Sequence, residues 1–107
     1  MEYALAIAAP AIEAGLANIF VTNGFMTPQA RQAILPYLHA ANVDLKGFDD
    51  RYYRQLCGAR LQPVLDTIRE FHERGVSTEV TTLVVPGEND SDEALRAVAG
   101  FLASVSP

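Results

Sequence analysis

The sequence predicts an α/β fold in which parallel βα units form part of a (β/α) barrel of the TIM type. Three short β-branched runs are separated by helical patterns, each run ends in a turn signal, and polar residues follow each run. Strands separated by helices run parallel, and helices are expected to cover both faces of such a sheet. Three strands are few, so residues 1–107 are expected to form a single domain that is a slice of a larger barrel.

The first predicted helix covers residues 2–14, which are rich in alanine, and Pro10 predicts a kink or a later start. Its buried side is expected to consist of Leu5, Ile12 and Leu16. The run NIFVT, residues 18–22, predicts a buried strand that ends in an Asn-Gly turn.

Thr27 and Pro28 predict the start of a second helix, because threonine caps a helix and proline fits its first position. We expect this helix to run to about Leu38. The run NVDL, residues 42–45, predicts the second strand.

The second half of the chain predicts a short helix over DDRYYRQLC, then a longer helix that ends at Gly75. The apolar positions of the longer helix are Leu61, Val64, Leu65, Ile68 and Phe71. The run VSTEVTTLVV, residues 76–85, predicts the third strand. Asp90 and Glu93 have the spacing of a capping box at the start of the last helix.

Composition narrows the expected partners to small molecules. The net charge is −5 without a cluster of basic residues, which argues against nucleic acid and anionic membranes as partners. The longest apolar run is too short to span a bilayer and lacks a signal-peptide pattern, so a cytoplasmic location is expected. His39, His72 and Cys57 have no partners at metal-ligand spacing, so no metal site is expected.

Polar side chains follow each predicted strand, at the edge where α/β sheets bind ligands. The three ends carry Thr22 and Asn23, then Asp44 and Lys46, then Glu88 and Asn89. Because side chains alternate along a strand, Asp44 and Lys46 project to one side, as do Glu79 and Thr81. Such a cluster suits a ligand with an amino group, a carboxylate and ribose hydroxyls, and it equally suits a self-contained ion pair.

The stretches VTNGFMT, NVDLKGF, LCGARLQPVLDTI and TTLVVPGENDSDE, in this order, resemble the radical S-adenosylmethionine (SAM) enzymes of the glycyl-radical-activating type. The sequence is most similar to the branch related to pyruvate formate-lyase activating enzyme that is named the AmmeMemoRadiSam system radical SAM enzyme. The resemblance implies a partial barrel, a [4Fe–4S] cluster on a CxxxCxxC loop, and reductive cleavage of SAM to a 5′-deoxyadenosyl radical. It also implies that Thr22, Asn23, Asp44 and Lys46 bind SAM, and that the full enzyme acts on a protein or peptide.

The sequence departs from this family pattern in its cysteines. An iron–sulfur cluster needs several thiolate ligands, whereas the chain has Cys57 alone and no CxxxCxxC loop. The resemblance therefore implies an internal part of the enzyme, without the N-terminal cluster-binding region and the C-terminal region. We expect the chain alone to be catalytically inactive, and no catalytic residue is assigned.

Two other functions stay open at the level of sequence. DLKGFD matches the D-x-K-x-x-D pattern of orotidine-monophosphate-decarboxylase-like barrels, in which Asp44 and Lys46 would transfer protons, or Lys46 would be the nucleophile of a Schiff-base aldolase. Alternatively, the chain is a non-catalytic structural fragment that forms oligomers through exposed sheet edges.

Overall fold

A computed structural model describes residues 1–107. Helices and strands alternate along the chain and are joined by turns and loops. The α-helices are α1 (Glu2–Glu13), α2 (Pro28–Ile34), α3 (Asp50–Tyr52), α4 (Leu61–Glu73) and α5 (Asp92–Val105). A 3₁₀ helix (Leu35–Tyr37) follows α2, and a π-helix (Tyr53–Cys57) continues α3. The strands are β1 (Ile19–Thr22), β2 (Ala40–Asp44) and β3 (Ser77–Thr81). They form one sheet in the order β1-β2-β3 with both pairs parallel, which confirms the predicted α/β class. No helix combines the length and the apolar character needed to cross a bilayer.

Side-chain caps fix the starts of α2 and α5. Thr27 caps α2 as predicted, and its Oγ1 accepts a hydrogen bond from the Ala30 N–H at 3.2 Å. The predicted cap of α5 was wrong, because Ser91 accepts from the Ala94 N–H at 3.1 Å. Asp90 is one residue too early, and its carboxylate accepts from the Gly87 N–H in the preceding turn.

The two faces of the sheet differ in what covers them. We call the side packed against the helices the covered face, and it carries Phe20, Thr22, Ala41, Val43, Thr78 and Val80. The opposite side, the open face, carries Ile19, Val21, Ala40, Asn42, Asp44, Ser77, Glu79 and Thr81. The prediction that both faces are covered was wrong, because no element of residues 1–107 packs on the open face, where Val21 is 84% exposed.

The core lies between the covered face and α4. Val43 of β2 and Phe71 of α4 are fully buried, and the apolar positions predicted for α4 all belong to this core. Arg31 of α2 is also buried, and its guanidinium forms an ion pair with Glu70 of α4. This ion pair joins α2 and α4, which both lie on the covered side of the sheet.

The first helix differs from its prediction. It runs through Pro10, and its buried residue is Ala8. Leu5 packs against the core as predicted, whereas Ile12 and Leu16 are exposed. The side chain of Asn18, just before β1, donates to the carbonyl of Ala8 at 2.9 Å. The small side chain of Ala8 allows α1 to come this close to the start of β1. The helix therefore lies at the margin of the core.

The third strand is shorter than predicted and ends at Thr81. The reason is that the side chain of Asn89 takes the backbone groups of the following residues. Its Oδ1 accepts from the Val85 N–H at 2.7 Å, and its Nδ2 donates to the Leu83 carbonyl at 2.9 Å. These residues therefore form a loop rather than the end of a strand.

Candidate functional site

Asp44 and Lys46 lie together at the carboxyl end of β2, on the open face. Lys46 Nζ lies 2.5 Å from Asp44 Oδ2, and about a third of each side chain is exposed, 36% for Lys46 and 33% for Asp44. The other carboxylate oxygen, Asp44 Oδ1, is buried and has no hydrogen-bond partner. A buried acceptor without a donor is unfavourable by itself and is suited to a ligand that carries a donor.

A second group of polar side chains lies on the open face beside this pair. Asn42 Nδ2 donates to Thr81 Oγ1 at 2.9 Å, and the Thr81 hydroxyl donates back to Asn42 Oδ1 at 3.1 Å. Glu79 lies next to them and accepts from Asn42 Nδ2 at 3.4 Å. The predicted alignment of Glu79 and Thr81 with Asp44 on one face is therefore present, and Asn42 joins them.

The backbone of Lys46 is bonded on both sides by side chains from elsewhere in the chain. Its N–H donates to the phenolic oxygen of Tyr53 at 2.9 Å, and its carbonyl accepts from Asn89 Nδ2 at 2.7 Å. Tyr53 is almost fully buried, and this burial raises the pKa of its phenol to about 12, although the bond from the Lys46 N–H opposes the shift. Tyr53 therefore stays uncharged at neutral pH.

Thr22 and Asn23 end β1 at the same edge of the sheet. The side chain of Thr22 lies on the covered face, where its Oγ1 accepts from the Gly24 N–H at 3.1 Å. Asn23 is exposed, and its Oδ1 accepts from the Phe25 N–H at 3.0 Å. Both side chains shape the turn, and the role predicted for them in binding SAM stays a prediction.

Gly24 completes this turn and brings it against the core. Its φ is +68°, and a Cβ built on it would lie 2.8 Å from Val43 Cγ1 and 3.1 Å from Val64 Cγ1. Only glycine satisfies both the left-handed backbone and the close approach. The turn after β1 is thereby held beside the end of β2.

A cavity of about 460 Å³ lies next to the ion pair but does not include it. Its lining includes Gly47 and Asn89, and its charged lining residues are Asp49, Asp50, Glu88 and Glu93. The Asp44–Lys46 pair instead faces the open side of the sheet. Its site is therefore a wall rather than a closed pocket.

The third residue of the decarboxylase-like pattern does not join the ion pair. Asp49 is exposed, and its Oδ1 accepts from the Arg51 N–H at 2.8 Å as the cap of α3. Asp44 and Lys46 therefore form a pair without Asp49. The three side chains of the D-x-K-x-x-D pattern do not form one cluster in the structure.

The site residues fit one of the two cofactors that the family resemblance implies. Asp44 Oδ1 can accept from an ammonium or a hydroxyl, and the Lys46 ammonium can donate to a carboxylate, as the groups of SAM require. An iron–sulfur cluster does not fit this chain, because Cys57 is its only cysteine and residues 1–107 contain no metal-ligand group of three or more side chains.

Sequence reasoning missed Asn42 and Tyr53, and it placed Asn89 at the end of the third strand without its contact to Lys46. Asn42 stands on β2 at the spacing of Asp44, so the alternation of the strand could have identified it. Tyr53 and Asn89 reach Lys46 from 7 and 43 residues away. No local signal in the sequence indicates these two contacts.

One family model and several known proteins match this chain. The model of the Radical SAM superfamily matches residues 1–98. An uncharacterized protein of Methanocaldococcus jannaschii is 38% identical over 90 residues, which are 84% of this chain and 26% of that protein. The isethionate sulfite-lyase activating enzyme of Oleidesulfovibrio alaskensis is 27% identical over 105 residues, which are 96% of this chain and 34% of that enzyme.

A solved structure shows the same fold. The crystal structure of a domain of pyruvate-formate lyase-activating enzyme from Bacteroides vulgatus superposes with a TM-score of 0.86 and 19% identity, over 96% of this chain and 64% of that one. The chain spans about a quarter to a third of the length of the curated relatives it matches. Since the superfamily model covers residues 1–98, the predicted family is confirmed, and this chain belongs to the radical SAM superfamily.

Proposed function

We propose that residues 1–107 form one wall of the SAM site in a radical SAM enzyme of the glycyl-radical-activating type. Membership of the superfamily and similarity to an activating enzyme support the class of reaction. The observation that carries the site is the buried Asp44 Oδ1, which lacks a donor and lies beside the Lys46 ammonium.

The charged pair is proposed to recognise the two ends of an amino acid moiety. Asp44 Oδ1 accepts from the ammonium or a ribose hydroxyl of SAM, and Lys46 donates to its carboxylate. Asn23 follows the neighbouring strand and contributes a polar contact, whereas Thr22 acts through the turn that it stabilises. SAM held by these residues would be the source of the 5′-deoxyadenosyl radical that the family resemblance implies, and the reducing cluster would have to be held by other residues than these.

The remaining parts of the reaction are proposed to come from residues outside this sequence. The cluster needs thiolates that residues 1–107 do not supply, so the chain alone is expected to leave SAM uncleaved. We infer a partial barrel as the domain, the cytoplasm as the location, and a protein as the substrate of the complete enzyme. The relative from Oleidesulfovibrio alaskensis, an activating enzyme, supports the last inference.

Calorimetric titration with SAM tests the proposed site. We expect saturable binding to the chain and its loss in both Asp44→Asn and Lys46→Met, because each variant removes one charge-assisted contact. Asp66→Asn is the matched control, since it removes a carboxylate on α4 that bonds only to Gln62. Equal affinity in all four proteins, or no saturable binding to the folded chain, would reject the proposal.

A second candidate role, as a structural fragment that associates, is favoured by the edge strand β1. Ile19 is 67% exposed and Val21 84% exposed on the open face, and the outer backbone groups of β1 have no strand partner. Unpaired edges and exposed apolar side chains promote association between chains. Sedimentation at rising protein concentration is expected to show a shift to a larger species, and a monomer at every concentration contradicts this role.

A further inference from the structure

We propose that Asn89, together with Tyr53, is a positioning residue for Lys46, an inference that rests on the proposed function of the Asp44–Lys46 pair. Both side chains bond to the backbone of Lys46, Tyr53 at the N–H and Asn89 at the carbonyl. The direction in which the Lys46 side chain leaves the strand is set by this peptide geometry.

Lys46 needs such support because it lies beyond the end of β2. The ladder with β3 continues through the bond from the Leu45 N–H to the Thr81 carbonyl at 2.9 Å and then stops. Without further bonds, Lys46 would belong to a mobile loop, and its long side chain would lose rotamer freedom on pairing with Asp44. The bonds to the N–H and the carbonyl of Lys46 hold its backbone in line with β2. The Lys46 side chain can therefore reach Asp44.

Asn89 is suited to this task because all its polar positions are used. It is 5% exposed, its Oδ1 accepts from the Val85 N–H, and its Nδ2 donates to the carbonyls of Lys46 and Leu83. It therefore joins the loops after β2 and β3, which are neighbouring strands. Serine at this position is too short to form the same set of bonds.

The lysine content of the chain allows a direct test of this inference by NMR. Lys46 is the only lysine, so a ¹⁵N-correlated NMR spectrum of side-chain ammonium groups contains one lysine signal. In the unliganded chain we expect Asn89→Ser to move this signal toward the position of a free lysine, because the pair with Asp44 loosens. Tyr53→Phe, which removes only the phenolic oxygen, is expected to move it in the same direction.

Asn18→Ser is the matched control. Asn18 also bridges two backbone carbonyls, those of Ala8 and Tyr37 at 2.9 and 3.0 Å, but it lies before β1 at the opposite end of the sheet. Asn18→Ser therefore loses the same kind of side-chain bridge as Asn89→Ser, but far from Lys46. We expect the Lys46 signal to keep its position in this variant. An equal shift in Asn18→Ser, or no shift in a folded Asn89→Ser, overturns the proposal.

A binding measurement separates this inference from the proposed function. We expect Asn89→Ser to weaken SAM binding about tenfold and Asn18→Ser to leave it unchanged. Equal weakening in Asn18→Ser, or unchanged affinity in a folded Asn89→Ser, overturns the inference. If the wild-type chain binds no SAM, the proposed function fails, and the ammonium spectrum still decides the role of Asn89. If Asn89→Ser does not fold, the spectrum of Tyr53→Phe decides it.

Discussion

The two faces of one short sheet perform different tasks, and β2 shows the difference residue by residue. Val43 and Leu45 are fully buried on the covered side, whereas Asp44 and Lys46 alternate with them and remain about one third exposed. The covered face contributes most of the buried apolar area, which is the main source of folding free energy. The open face contributes little to stability and carries the polar groups that a ligand requires.

This division teaches that the charges at the end of β2 need not stabilise the fold. A partly exposed ion pair is worth little in free energy, and the buried Asp44 Oδ1 lacks even a hydrogen bond. Residues that weaken a protein without a folding benefit are often retained for function. If the two faces are independent, substitutions on the covered face change stability and substitutions on the open face change binding.

The largest effect is expected from the core beneath the covered face. Phe71→Ala should lower the free energy of unfolding by about 4 kcal/mol, because it removes a fully buried aromatic side chain. Val21→Ala on the open face should lower it by less than about 0.5 kcal/mol. Urea denaturation followed by circular dichroism measures both, and similar losses would show that the open face is packed in solution.

The next effect concerns Gly24, which packs the turn after β1 against the core. Gly24→Ala is expected to cost about 3 kcal/mol, since it combines a left-handed backbone with a contact of 2.8 Å to Val43. Gly15→Ala is the control, because Gly15 has φ +78° but no atom within 4 Å of an added Cβ. It should cost only about 1 kcal/mol in the same denaturation experiment. Equal costs would mean that the contact with Val43 relaxes freely.

A smaller effect is expected from alkaline pH through Tyr53. Burial raises the pKa of its phenol to about 12 from an ordinary value of 10.0, so the folded chain holds this proton more tightly than the unfolded chain. The resulting contribution is fully present below pH 10 and declines as the pH rises to 12, by about 2 kcal/mol in all. Tyr53→Phe should show a flatter decline over the same range. An identical profile in Tyr53→Phe would contradict this assignment.

The smallest effect on stability is expected at Asp44 and Lys46, where the largest effect on SAM binding is expected. Asp44→Asn and Lys46→Met should each change the free energy of unfolding by less than about 1 kcal/mol, because the pair is partly exposed to water. The same variants are expected to abolish SAM binding in calorimetry. A loss of stability comparable to that of Phe71→Ala would assign the pair to the fold rather than to a ligand.

Local signals predicted much of this molecule. The Thr27–Pro28 helix start, the apolar stripe of α4 and the parallel order of strands and helices all follow from spacing and turn chemistry. The alternation in β2 placed Asp44 and Lys46 on one face, where the structure pairs them. The cap of α5 was wrong because several acidic and hydroxyl side chains compete there within a few residues.

Other features depend on contacts that are distant in sequence. The end of β3 at Thr81 follows from the bonds of Asn89, and the exposure of Ile19 and Val21 follows from the position of β1 at the edge of the sheet. Neither could be derived from strand propensity, which reports the fit of a side chain to a pleated surface and not the neighbours of the strand.

The sequence by itself determined the family, the parallel α/β class and the side of β2 on which the charges lie, because periodicity and ordered motifs are local properties of the chain. Only the tertiary structure decided that this side is open, that Asp44 Oδ1 has no partner, and that Asn89 and Tyr53 bond to the backbone of Lys46. Burial and hydrogen-bond partners depend on which elements meet in space, and the meeting of residues 46 and 89 is settled by packing rather than by local spacing.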